Sequence, residues 1–148
     1  MHPVIAAWLH YVAVILMSGA IVAELYLLKL KPGSETVPLL ARIDRLYGIA
    51  ALAVLLTGFA RIPLAHGGKG LDYYLQSGTF HGAMGLFLLA AAISIPPTIR
   101  FLKWKKAADT GQLPDATAWA ANRKFAHIGL TAIALIALAM AAMARGAG

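Results

Sequence analysis

Apolar residues gather in four long blocks, separated by short polar stretches. Asp, Glu, Lys and Arg are absent from residues 1–23, 46–60, 73–99 and 125–144. A helix needs about 20 mostly apolar residues to cross a bilayer. The first, third and fourth blocks meet that directly. The second does so only by running from Leu46 to Leu64 and taking in Arg61 near its end. The pattern predicts helices over 3–29, 44–64, 78–103 and 117–144, within a single domain covering 1–148. None of the blocks alternates apolar with polar residues as a membrane β-strand does. The expected fold class is therefore all-α: a polytopic, antiparallel bundle of four transmembrane helices.

Breakers fall where spans should end. Lys31-Pro32-Gly33-Ser34 closes the first helix, and Pro63 with His66-Gly67-Gly68-Lys69-Gly70 closes the second. Gly111-Gln112-Leu113-Pro114 separates the third from the fourth, with Asp115 placed to cap the next helix. Pro96-Pro97 lies inside the third block and should kink it. Residues 1–23 read as a retained span, because Met-His-Pro lacks the basic start of a signal peptide and the apolar stretch is long.

Composition agrees: 60% of the 148 residues are hydrophobic and 13% charged, against about 45–50% and about 25% in soluble domains. The chain has no cysteine, which excludes disulfides, thiolate metal sites and iron–sulfur clusters. Its net charge of +7 is a topology signal. Lys29, Lys31, Arg42, Arg45, Arg100, Lys103, Lys105, Lys106, Arg123 and Lys124 fall on one side, leaving Arg61, Lys69 and Arg145 on the other. Basic residues in short loops mark the cytoplasmic face. Both termini should then lie outside the bacterial inner membrane, with membrane lipid rather than nucleic acid as the partner of the basic side.

Ionisable groups inside spans cost a few kcal/mol on insertion scales, so each is a candidate for function. His10 and Glu24 stand fourteen residues apart in the first helix, within the series Pro3, His10, Met17, Glu24 and Lys31, which should face the bundle interior. Helix direction sorts the remaining groups into two layers. His10, Arg61 and His81 lie toward the outer side, and Glu24, Asp44, Arg45, Tyr47, Arg100 and His127 toward the inner side.

In the outer layer, His10 and His81 could ligate a haem b iron from opposite faces, with Arg61 pairing a propionate. The bland alternative is a hydrogen bond between helices. In the inner layer, Glu24 with His127 forms a candidate proton path, and neutralisation of Glu24 by Arg45 or Arg100 is the structural alternative. Asp44-Arg45 and Arg100 are read as headgroup-level anchors. Trp8, Trp104 and Trp119 are read as an interfacial aromatic belt.

The chain resembles a family of small bacterial four-helix inner-membrane proteins of unassigned function. The residues that carry the resemblance are Trp8-Leu9-His10-Tyr11, Ala23-Glu24-Leu25, Asp44-Arg45-Leu46-Tyr47-Gly48, Thr57-Gly58 with Arg61, Asp72-Tyr73-Tyr74-Leu75 and Pro97-Thr98-Ile99-Arg100-Phe101-Leu102. More distantly it is similar to the four-helix haem b proteins that oxidise protoporphyrinogen, and to the membrane domain of copper-resistance proteins. The first of these implies a haem at His10. Those oxidases have a Lys early in the third helix, whereas Phe80-His81-Gly82-Ala83-Met84 has none and offers His81 instead.

The leading expectation is thus an integral membrane haem b protein with a redox role, in electron transfer with quinone or a respiratory partner or in porphyrin oxidation. Two alternatives stay open. One is a transporter handling a metal or protons through His10, His81 and Met84 or through Glu24 and His127. The other is a non-catalytic accessory subunit of a membrane complex. The small-residue face at Gly19 and Ala23 would also let two copies pack as a homodimer.

Overall fold

The computed structural model describes residues 2–63 and 70–146. Among them are six helices: α1 (Pro3–Leu27), α2 (Thr36–Arg61), α3 (Gly70–Gln76), α4 (Gly78–Ala108), α5 (Ala116–Ala121) and α6 (Arg123–Ala144). The described residues contain no strand.

Local chemistry sets the helix ends. Pro3 opens α1 at a position where its missing N–H costs nothing, and His2 Nδ1 accepts the Val4 amide at 3.3 Å. Ser77 caps α4 by accepting the Phe80 amide. Asp115 caps α5 as expected, accepting from Thr117 N at 2.8 Å and Ala118 N at 3.0 Å. At the far end of α4 the Gln112 amide reaches back to Ala107 O and the Gly111 amide to Ala108 O. Gly111 takes φ +80°, a left-handed conformation suited to glycine in this type of helix stop.

Three helical stretches are long and apolar enough to cross a membrane: Pro3–Leu27, Gly78–Ala108 and Ala116–Ala144. The last is α5 and α6 together, interrupted only at Asn122. The expected second span is present as a helix, but it starts at Thr36, eight residues early, with Pro38 in its first turn where proline is tolerated. α2, with Arg42, Asp44 and Arg45 in its first half, is not among these spans. Side chains such as Ile15, Leu56 and Leu138 are more than 60% exposed, an outside-apolar pattern that suits lipid rather than water.

The long helices pack as neighbours. α1 lies along α2 and α6, and α4 lies along the same two helices, so that α1 stands diagonal to α4 and α2 diagonal to α6. Closure is tight where α1 meets α6: a methyl group on Gly129 would collide with Ile21 Cδ1. Of the stripe expected on α1, Met17 and Glu24 are buried with Ala6, Ala13 and Ala20 beside them, Pro3 and His10 are half-buried, and Lys31 is exposed beyond the helix end. One core cluster joins Met17, Ile21 and Leu25 to Tyr47, Ala50 and Ala126. A second gathers Leu28, Val37, Leu40 and Phe101 around Trp119. Trp119 is therefore no belt residue. It is 1% exposed, lies against Trp104 and donates its indole N–H to Leu30 O at 3.0 Å.

Candidate functional site

Between the helices, level with Glu24, lies a cavity of about 20 Å³. That is room for about one water molecule. α1 contributes Glu24, α2 contributes Asp44 and Tyr47, α4 contributes Ser94 and Pro97, and α6 contributes Asn122 and Gly129. Among the described residues no Lys, Arg or His lines it.

Two carboxylates thus share a small interior space lined by no basic group among the described residues. Glu24 is 6% exposed and Asp44 4%. Asp44 Oδ1 accepts the Thr98 hydroxyl at 2.9 Å, while Glu24 Oε1 is buried with no hydrogen-bond partner. The two acids repel each other electrostatically. A buried charge persists only when it is paired, so this pair calls for a proton or a cation to balance it.

The α4 wall of the cavity is itself unusual. Pro96 and Pro97 carry no N–H, so the carbonyls of Ala92 and Ile93 lose their helical donors within an otherwise continuous helix. The Ser94 hydroxyl donates to Ala91 O at 2.7 Å.

The grouping expected from the sequence is only partly what the structure assembles. His127 is exposed and faces a separate groove between α4 and α6, because its position on α6 falls off the face that carries Ala126 and Gly129 inward. Arg45 is exposed. Arg100 is exposed too: it donates to Asn122 Oδ1 at 3.2 Å and lies over the Phe125 ring, so neither arginine neutralises Glu24. Asp44, read as a headgroup anchor, instead turns into the interior. Its register explains this: Val37, Leu40, Ala41, Asp44, Tyr47 and Ala50 form one buried stripe on α2.

The outer candidates stand apart from one another. Half-buried His10 places Nδ1 3.0 Å from Thr57 Oγ1, and that hydroxyl is 2.6 Å from Ala53 O. The Thr57 proton goes to the carbonyl, so His10 donates from Nδ1 and keeps the lone pair on Nε2. The ring rests on Gly58, where a Cβ would lie 3.3 Å from Cε1. His81 is exposed, with Nδ1 2.8 Å from Ser77 O, an acceptor only, so it too is protonated at Nδ1. It ends a train of edge-to-face rings running through Tyr73, Tyr74 and Phe80. The Arg61 guanidinium lies 5.2 Å from the centre of the Tyr11 ring.

Each imidazole has the donor chemistry of an iron ligand, yet the two sit on diagonally placed helices, α1 and α4. The described residues hold no cluster of three or more metal-ligating side chains. His66 and Lys69 lie outside the described residues.

Sequence comparison adds one finding. Residues 2–148 match a family described as "Predicted membrane protein (DUF2214)". No curated protein and no solved structure matches the chain.

Proposed function

The chain belongs to this family of predicted membrane proteins, and from that premise we propose that it is a proton-handling transport protein of the bacterial inner membrane. In this reading α2 serves as the fourth span and completes an antiparallel bundle. Glu24 is the group that takes up and releases the proton, and Asp44 is its partner, held in place by Thr98. The observation that carries the proposal is the carboxylate pair in a cavity without a base, with Glu24 Oε1 buried and unpartnered. Ionisable groups at membrane depth are costly, and in pumps and transporters they mark proton relays. Tyr47 and Ser94 supply hydroxyls at the same cavity.

Difference infrared spectroscopy on purified protein tests this reading. A carboxyl C=O band should come and go with pH and be missing from Glu24→Gln. A spectrum without such a band, or one that Glu24→Gln leaves unchanged, overturns the proposal.

One observation favours a second reading, haem b binding. His10 and His81 each donate from Nδ1, the arrangement that orients metal-ligating histidines. His10 and His81 would hold the iron, which would supply one-electron chemistry, and Arg61 would meet a propionate. A Soret band in purified protein, lost in His10→Ala, would decide for this reading.

A further inference from the structure

A groove of about 300 Å³ runs along the outside of the helices between α4 and α6. Leu86, Leu89 and Ile93 form one wall, and Ile128, Thr131 and Leu135 the other. Both walls belong to stretches long and apolar enough to cross a bilayer, so the groove opens on acyl chains. From His127 to Leu135 it extends for about 12 Å along α6, at the 1.5 Å rise of a helix.

The two ends of the groove differ in charge. Leu86 and Leu135 lie at one end, and His127 stands at the other. Beyond His127 each wall continues into a cation. Arg100 lies seven residues after Ile93 and Lys124 seven before Thr131, a spacing of nearly two full turns. Arg100, Lys124 and His127 are all exposed. The Arg100 guanidinium lies 5.6 Å from the centre of the Phe125 ring and the Lys124 ammonium 5.2 Å from the same centre, so one ring gathers both charges. Arg100 donates to Asn122 Oδ1 and has further N–H donors to offer. Among the described residues no carboxylate pairs with either cation. Glu24 and Asp44 line the interior cavity, and Asp115 is held by the amides that open α5.

Unpaired basic groups at the end of an apolar groove select an occupant with an apolar chain and an anionic head. Basic pockets between membrane helices bind phospholipid head groups in this way. We propose that the basic end of the α4–α6 groove is a binding site for one anionic phospholipid, its phosphate on Arg100, Lys124 and His127 and an acyl chain lying between Ile93 and Ile128. The guanidinium suits two phosphate oxygens at once, and the ammonium acts as a point charge. This site lies on the outer side of α4 and α6 and is independent of the proton-handling reading.

Native mass spectrometry of the delipidated full chain in detergent tests the proposal, with phosphatidylglycerol and phosphatidylcholine of identical acyl chains as probes. One phosphatidylglycerol should bind about tenfold or more tightly than phosphatidylcholine. Lys124→Gln should cut that preference about fivefold with an unchanged unfolding midpoint in the absence of lipid, and Arg100→Gln/Lys124→Gln should abolish it. Lys105→Gln/Lys106→Gln also removes two charges from the end of α4, but from positions turned roughly 120° or more from Arg100, and should keep the preference. Thr131→Trp obstructs the groove from an exposed position and should abolish phosphatidylglycerol binding.

Equal affinity for the two lipids overturns the proposal. So does a preference that survives the loss of Arg100 and Lys124. A preference lost to the same degree in Lys105→Gln/Lys106→Gln would be diffuse attraction to the basic end, and overturns it as well. Unchanged binding in Thr131→Trp, or displacement of the lipid by an equal concentration of glycerol phosphate, would reduce the site to a headgroup contact and exclude the groove.

Discussion

The Thr98 hydroxyl is the donor that holds Asp44 Oδ1, at 2.9 Å, beside the cavity that Asp44 shares with Glu24. Thr98→Val keeps the shape of the side chain and deletes the donor. An orphaned buried acceptor costs about 1–3 kcal/mol, more if it is charged, so thermal unfolding in detergent should shift down accordingly. In Asp44→Asn/Thr98→Val the two losses should not add, because both act on one hydrogen bond. Glu24 was legible in the sequence because it is the first charged residue of the chain and stands in a seven-residue series with His10 and Met17. Asp44 was not. Beside Arg42 and Arg45 it looked like part of a polar boundary, and its stripe with Leu40 and Tyr47 emerges only once the helix is started at Thr36. Thr98 stood out only as part of a family motif and Ser94 not at all: short hydroxyl side chains in an apolar run carry no signal until a partner is seen across the helix gap.

Among the elements, the α1–α6 crossing depends on the missing side chain at Gly129. Gly129→Ala forces Ile21 to move, and overpacking of this kind costs about 1–3 kcal/mol. Adding Ile21→Ala to the same chain should return most of that loss, which a double-mutant cycle of unfolding midpoints would measure. At the start of α5 the amides of Ala118 and Thr117 hold the Asp115 carboxyl below the usual carboxylate range. A group depressed in the folded state stabilises it above the ordinary value, about 3.9 for Asp, and loses that effect as pH falls through the folded value. Protection of the Thr117 and Ala118 amides, taken relative to the intrinsic exchange rate at each pH, should therefore fall only on acidification below that range, and Asp115→Ala should show low protection at every pH. Apolar block length located α1, α4 and the α5–α6 rod, because crossing a bilayer and forming a helix need the same residues. It misplaced the start of α2, where the helix runs on through charged residues. α3 escaped because Gly70–Gln76 is too short for any periodicity to show. The break at Asn122 escaped as well, since that residue remains in a right-handed helical conformation (φ −75°, ψ −13°).

For the whole molecule, the skew of basic residues predicts an orientation. Alkaline phosphatase fused after Gly146 should be active outside the cell, and a fusion after Gly111 should be inactive. Activity in the reverse pattern would invert the topology and place Glu24 nearer the outer side. The closed circuit of neighbouring helices, with the backbones of each diagonal pair held apart, leaves the interior space that the carboxylates share. That space has a consequence for how the protein could work. A void of about 20 Å³ admits one water, too few for a continuous hydrogen-bonded file from one aqueous phase to the other. In the proton-handling reading ions do not stream through the molecule, so planar-bilayer recordings should show no unitary conductance. Each charge delivered would require the helices to rearrange and then recover, at the microsecond-to-second pace of collective motions. Flux would saturate, depend steeply on temperature and stall in gel-phase lipid.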